Sequence, residues 1–109
     1  MASTFKNAGI TVPVVDDSTA NLFTAGASET AVIHAVYVSN KSSTASATVN
    51  VKVTTDGGST FYHIGKSLEV PPNNTLTLDK PVNLEANDII RVIASHGNTD
   101  TFISVLENT

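Results

Sequence analysis

The side chains able to do chemistry in this chain are few and scattered. His34, His63 and His96 are the only histidines. They fall on a strand-like run, a second strand-like run and a polar loop, without the i, i+2 or i, i+4 spacing that would set two on one metal ion. His34 alternates with Val32, Val36 and Val38, which predicts a partly buried strand histidine bonded through its ring nitrogens. Asp16-Asp17 and Asp56-Gly57 offer the oxygen ligands calcium prefers, but the first pair lacks the ligand spacing of a calcium loop and the second is ordinary turn chemistry. Ser and Thr are abundant, yet no Gly-x-Ser-x-Gly elbow occurs, and no positional clue joins a hydroxyl to a histidine and a carboxylate. The absence of Cys excludes disulfides and thiolate metal sites and leaves the compartment open. The expectation is a non-enzyme with no catalytic residue, no metal and no cofactor.

What remains is recognition. Phe61-Tyr62-His63 follows the Gly57-Gly58 turn, so Tyr62 is a candidate loop contact for stacking on a sugar; the competing reading caps the core with Phe61 and packs Tyr62 at an edge. His96, in the polar loop Ser95–Asp100, is the other candidate loop contact. Arg91 lies between Ile90 and Val92, where a guanidinium either faces solvent or is paired at an interface, since unpaired burial is costly. Arg91, Tyr37 and Phe5 form the candidate interface set. The net charge of −4 and the lack of a basic cluster count against nucleic acid as a partner. No apolar run approaches ~18 residues, and Met1–Lys6 lacks the pattern of a signal peptide, so the expectation is a soluble chain with no membrane partner and no signal-directed export.

These residues must be positioned by strands. Glu29–Asn40 is a nearly uninterrupted apolar run rich in β-branched residues and closed by turn formers, which predicts a strand buried on both faces in the middle of a sheet. Asp88–Ser95 is apolar on both faces apart from Arg91 and predicts a second central strand. Ala47–Thr54 alternates cleanly, with Ala47, Val49, Val51 and Val53 toward a core and Thr48, Asn50, Lys52 and Thr54 toward water. Thr55–Ser59 supplies glycines for a hairpin into Thr60–Ile64. Shorter runs at Ile10–Val15, Ala20–Thr24, Lys66–Val70, Thr75–Asp79 and Thr101–Leu106 bring the total to about eight strands. Pro13 confines the first of these to an edge or bulge. No segment sustains a helical period, and turns recur every ~8–12 residues. The prediction is an all-β, antiparallel β-sandwich, jelly-roll or Ig-like, in one domain over residues 10–109. Residues 1–9, small and polar apart from Met1 and Phe5, read as an N-terminal arm whose Phe5 seats in a groove on a neighbouring subunit or on a larger shell; the competing reading folds Phe5 back to cover the open end of its own sandwich.

The order of several motifs carries a resemblance. Leu22-Phe23-Thr24-Ala25 precedes a small-residue turn; Ala31-Val32-Ile33 leads to Val36-Tyr37-Val38-Ser39-Asn40; Thr54-Thr55-Asp56-Gly57-Gly58-Ser59 follows. A Pro-Pro turn then precedes Leu76 and Leu78, and Asp88-Ile89-Ile90-Arg91-Val92 and Ile103-Ser104-Val105-Leu106-Glu107 end the series. In this the chain resembles small structural proteins in the virions of tailed bacteriophages. The resemblance implies a non-enzymatic capsid decoration (cement) protein or neck or tail accessory protein, made in the host cytoplasm and located in the virion. It implies contacts with copies of itself and with a major capsid, connector or tail protein. The alternative is a β-sandwich module that binds carbohydrate or a host surface through its loops.

Overall fold

The computed structural model describes residues 3–108. Strands β1 (Ser3–Thr11), β2 (Asn21–Thr24), β3 (Thr30–Asn40), β4 (Ala47–Thr54), β5 (Phe61–Val70), β6 (Thr75–Leu78), β7 (Val82–Leu84), β8 (Ile89–Ala94) and β9 (Thr99–Asn108) make up almost all of its regular structure, with one 3-10 turn at Ser18–Ala20. They form two antiparallel sheets, one ordered β1-β9-β3-β6 with β7 also paired to β3, the other ordered β2-β8-β4-β5.

The pairing follows one rule. β1 takes β9, β2 takes β8, β3 takes β6 and β7, and β4 takes β5. The chain is thus a single long antiparallel ribbon, doubled back at the β4–β5 turn and rolled so that its strand pairs alternate between the sheets. That wrapping is a jelly roll, which decides between the two sandwich types left open by the sequence. At the fold-back, Gly57 (φ 76°) and Gly58 (φ 110°) occupy the left-handed region, and Thr54 pairs with Phe61 beyond them.

The core lies between the sheets. Ile33, Val36 and Val38 of β3 and Ile103 and Val105 of β9 meet Val49 and Val51 of β4 and Ile90 and Val92 of β8, all fully buried. β-branched side chains on alternate positions suit a pleated surface covered on one side. β3, β8 and β9 are all interior to their sheets.

Four details differ from the sequence expectation. The segment set apart as an arm is β1, paired residue for residue with β9 from Ser3↔Asn108 to Thr11↔Asp100; Met1 and Ala2, the start of that expected arm, lie outside the described residues, as does Thr109. Its backbone bonds to β9, with Ala8 and Ile10 turned toward the core, hold a strand whose other side chains carry little apolar signal. The expected strand Ile10–Val15 is correspondingly split, because Pro13 has no N–H to continue the ladder, and Val14 and Val15 are exposed. Thr60–Ile64 and Lys66–Val70 are one strand, β5, which absorbs its irregularity in register shifts opposite Val49–Lys52 and in Ser67 at φ 54°. Val82–Leu84 is a short strand that the sequence reading left out.

Candidate functional site

The outer face of the β1-β9-β3 sheet gathers the exposed rings of Phe5, Tyr37 and Phe102 into an ordered surface. Along β3 the register with β9 shifts between Ile33 and Ala35. Residues 31 and 33 face inward before the shift and 36, 38 and 40 after it, and His34 sits in the irregularity, exposed. This corrects the expected partly buried His34: the bulge takes it out of line with Val36 and Val38. Beyond the bulge, Tyr37 emerges on the outer face.

Cross-strand partners then line up in rows. Phe5, Leu106 and Val32 form one; Gly9, Phe102 and Tyr37 form another; Asn7, Ser104 and Ala35 lie between. Phe5 is 82% exposed, Phe102 43% and Tyr37 39%. The Tyr37 and Phe102 rings lie 6.3 Å apart between centroids at a 42° tilt, within the range of favourable aromatic pairing. Two of the three expected interface residues, Phe5 and Tyr37, thus share one face. Phe102 and Leu106 were not singled out, although their alternation with Ile103 and Val105 in Thr101–Leu106 carried the signal.

Arg91 is elsewhere, on the outer face of the other sheet, and its partners belong to its own chain. Its Nε donates to Asn21 Oδ1 at 2.8 Å, its Nη1 donates to Asp16 Oδ1 at 3.0 Å, and the guanidinium lies 4.1 Å over the Phe61 ring. Asp16 also accepts from Lys52, whose ammonium stands 5.6 Å over the same ring. The Lys52 bond first, and then Arg91, hold the Asp16 carboxyl below its ordinary 3.8. Lys52 and Thr54, expected to be wet, are buried: Lys52 lies in this cluster, and the Thr54 hydroxyl accepts from the Ile89 N–H beside Asp88. Asp17, the other half of the acidic pair, accepts from the Thr19 N–H and hydroxyl as the cap of the 3-10 turn.

The candidate loop contacts do not converge. Tyr62, 55% exposed, is on β5 opposite Val53. His96 stays in its loop, where its Nδ1 accepts from the Asn98 N–H. Among the described residues, no group of three or more His, Cys, Asp or Glu side chains is placed to hold one metal ion. A cavity of about 270 Å³ between β5 and the β6–β7 turn is mostly apolar, walled by Ile64, Leu78, Pro81 and Val82.

Three buried polar residues that the sequence did not flag serve the scaffold. Asp88 accepts from the N–H groups of Gly57 and Glu85, clamping the β4–β5 turn to the β7–β8 turn. Asn40 donates to the carbonyls of Ala45 and Val70 and accepts from the Ser42 N–H. Glu107 accepts from Lys6 and from the Gly26 N–H. Each satisfies backbone or charge that burial would otherwise leave costly.

No family model and no curated protein sequence matches the chain. Among solved structures, the chain is similar to one from the crystal structure of the T13 IBDV viral particle, with a TM-score of 0.55 and 7% identity over 96% of this chain. It spans 30% of that chain's length. A pentameric capsid protein isolated from metagenomic phage sequences gives a TM-score of 0.43 and 14% identity, over 94% of this chain and 59% of the other. What the viral-particle likeness shows is the fold, a β-sandwich of the kind this chain forms.

Proposed function

We propose that this chain is a non-enzymatic virion structural protein, working by burial of surface against copies of itself and other virion proteins. The observation that carries the reading is the outer face of the β1-β9-β3 sheet, where Phe5 stands exposed in register with Leu106 and Val32, and Tyr37 and Phe102 stand exposed in register with each other. An apolar face with aromatic anchors and few charges is interface chemistry. Jelly rolls serve viral capsids and lectins alike, so fold does not choose between them. The position of the rings favours the former: Tyr37 and Phe102 are on strands β3 and β9 and not in the loops, where a sugar-binding module would gather its contacts. Within the virion, the role that fits a small domain with one such face is capsid decoration (cement) or a neck or tail accessory.

The test is quantitative mass spectrometry of purified virions, with binding of the isolated protein to a glycan array beside it. The proposal expects a stoichiometric copy number in the particle and no glycan signal. Absence from particles, or sugar binding lost on Tyr62→Ala, would favour the recognition module instead.

A further inference from the structure

A sandwich has sheet edges, and most edges here are guarded against a further strand. β2 is four residues long and shifts register between Asn21 and Phe23. β5 is irregular opposite Val49–Lys52. β6 and β7 have four and three residues, and Pro72 and Pro81 stand just ahead of them. β1 has none of these defences. Its nine residues run in unbroken register with β9, contain no Pro, and include one charge, Lys6, which is paired with Glu107.

The phase of its free groups follows from one bond. The Val12 N–H donates to the Thr99 carbonyl at 2.7 Å, continuing the β1–β9 register by one residue. Bonding alternates along an antiparallel pair, so Ile10, Ala8, Lys6 and Thr4 bond to β9. Ser3, Phe5, Asn7, Gly9 and Thr11 therefore turn their N–H and C=O groups to the open side.

We infer that β1 is where a second copy of this chain adds, antiparallel, about a two-fold axis through Asn7. Complete overlap of Ser3–Thr11 with its own copy has Asn7 at the centre. That register sets Phe5 opposite Gly9 of the partner subunit, Lys6 opposite Ala8 and Ser3 opposite Thr11. The first of these pairs is the telling one. Over Gly9 lies a shallow depression of about 400 Å³, bounded by Thr11, Asp100 and Phe102. The Phe102 ring comes within 3.6 Å of where a Cβ on Gly9 would be. The exposed Phe5 of the second copy fills that place against Phe102, an aromatic ring laid across a bare glycine on the neighbouring strand. Tyr37, Phe102 and Gly9 of one subunit then continue into Phe5, Leu106 and Val32 of the other as a single apolar row. No like charges oppose each other along the seam, and the interface is isologous, as a closed two-fold contact requires. The inference stands on edge geometry and does not depend on the virion reading.

Because the chain has no Cys, single introduced cysteines report the register. Asn7→Cys brings two thiols together across the axis, at the ~5.5 Å Cα separation of a hydrogen-bonded pair, within reach of a disulfide. Phe5→Cys alone leaves its two copies four residues apart along the strand, roughly 13 Å. Mild oxidation should link Asn7→Cys and the double variant Phe5→Cys/Gly9→Cys, but neither Phe5→Cys nor Gly9→Cys alone. Without cysteines, the intact protein should sediment at twice its 11.4 kDa. Asn7→Pro removes an outward N–H and no β9 bond, and should give a monomer with nearly unchanged Tm; Ala8→Pro removes a β9 bond and should lower Tm. A monomer up to high micromolar concentration, linkage at Phe5→Cys as ready as at Asn7→Cys, or an edge that pairs only with a different virion protein would overturn the inference.

Discussion

Lys6 on the edge strand and Glu107 near the end of β9 form an ion pair in which the lysine side chain is 44% exposed and the carboxylate 2%. The asymmetry decides what each substitution does. Removing Glu107 charge leaves a cation that water can solvate; removing Lys6 leaves a buried anion held by the Gly26 N–H beside another carboxylate, Glu29. Lys6→Met should therefore lower Tm more than Glu107→Gln. The Lys6 bond is the chief cause holding Glu107 below its ordinary 4.5, and the Glu107 bond the chief cause raising Lys6 above 10.5. A lowered carboxyl stabilises the fold above its unfolded value, and that contribution fades as pH falls through the folded one. A raised lysine contributes below its unfolded value and loses that contribution as pH rises through the folded one. The Tm gap between the natural chain and Lys6→Met should hold from pH 6 to 9 and narrow below about pH 4 and above about pH 10.5. A constant gap across that range would show that the pair is not its source.

Asp16 joins Lys52 and Arg91 over one Phe61 ring, so the outward face of β4 is not free to vary. Lys52→Asp should be destabilising by on the order of 1–3 kcal/mol, since it sets a second carboxylate beside Asp16 and uncovers Phe61. The sequence alone, with Lys52 read as wet, predicts near silence. Val51→Asp should prevent soluble folding altogether, its carboxylate having no partner in the core. Urea unfolding of the first and soluble yield of the second check both.

At the fold-back of the ribbon, Gly57→Val with Gly58→Val should cost on the order of 1–3 kcal/mol, because both backbones lie at positive φ and the Ile89 side chain stands 3.1 Å from a Cβ on Gly58. An unchanged thermal midpoint would mean the turn can adopt another form.

β1 gives a contrast between side chain and backbone. At dilute concentration Phe5→Ala should change stability by no more than about 0.5 kcal/mol, the ring being exposed. A chain beginning at Ile10 should melt distinctly lower, because β9 loses most of its partner strand and Glu107 its cation. Equal midpoints for the two would return Ser3–Gly9 to the status of a loose arm.

On the proposed contact face, Tyr37→Ser with Phe102→Ser should leave the isolated fold within about 1 kcal/mol of the natural chain while removing association with particles. Retained association, measured by co-sedimentation with virions, would move the contact elsewhere.

The parts of the fold legible in the sequence were those where side chains repeat a backbone period. Val49, Val51 and Val53 declared β4, the run around Val36 declared an interior strand, and the glycines at 57 and 58 declared the hairpin. Three kinds of feature left too little trace. A polar edge strand such as Ser3–Thr11 is held by main-chain bonds that most of its side chains do not encode. The irregularity at His34 reverses the facing of a strand without changing its composition. The partners of Arg91 come from Asp16 and Asn21, 75 and 70 residues away, which no local pattern joins. Of the candidate interface, Tyr37 and Phe5 were found as isolated rings, and only the register with β9 shows that they share a face with Phe102.

The doubled ribbon also sets an order of events during synthesis. Ser3 bonds to Asn108 across 105 residues, and Thr11 to Asp100 across 89. A ribosome thus releases β1 long before its neighbour β9 exists, while the β4–β5 hairpin emerges whole and can close early. The pairing predicts that folding proceeds outward from the middle of the chain, with the closing of the largest loop, β1 onto β9, as its slow step. Until then Ser3–Thr11 has no partner strand. The low apolar content of β1 is a physical safeguard for that interval, keeping the waiting strand soluble until β9 arrives.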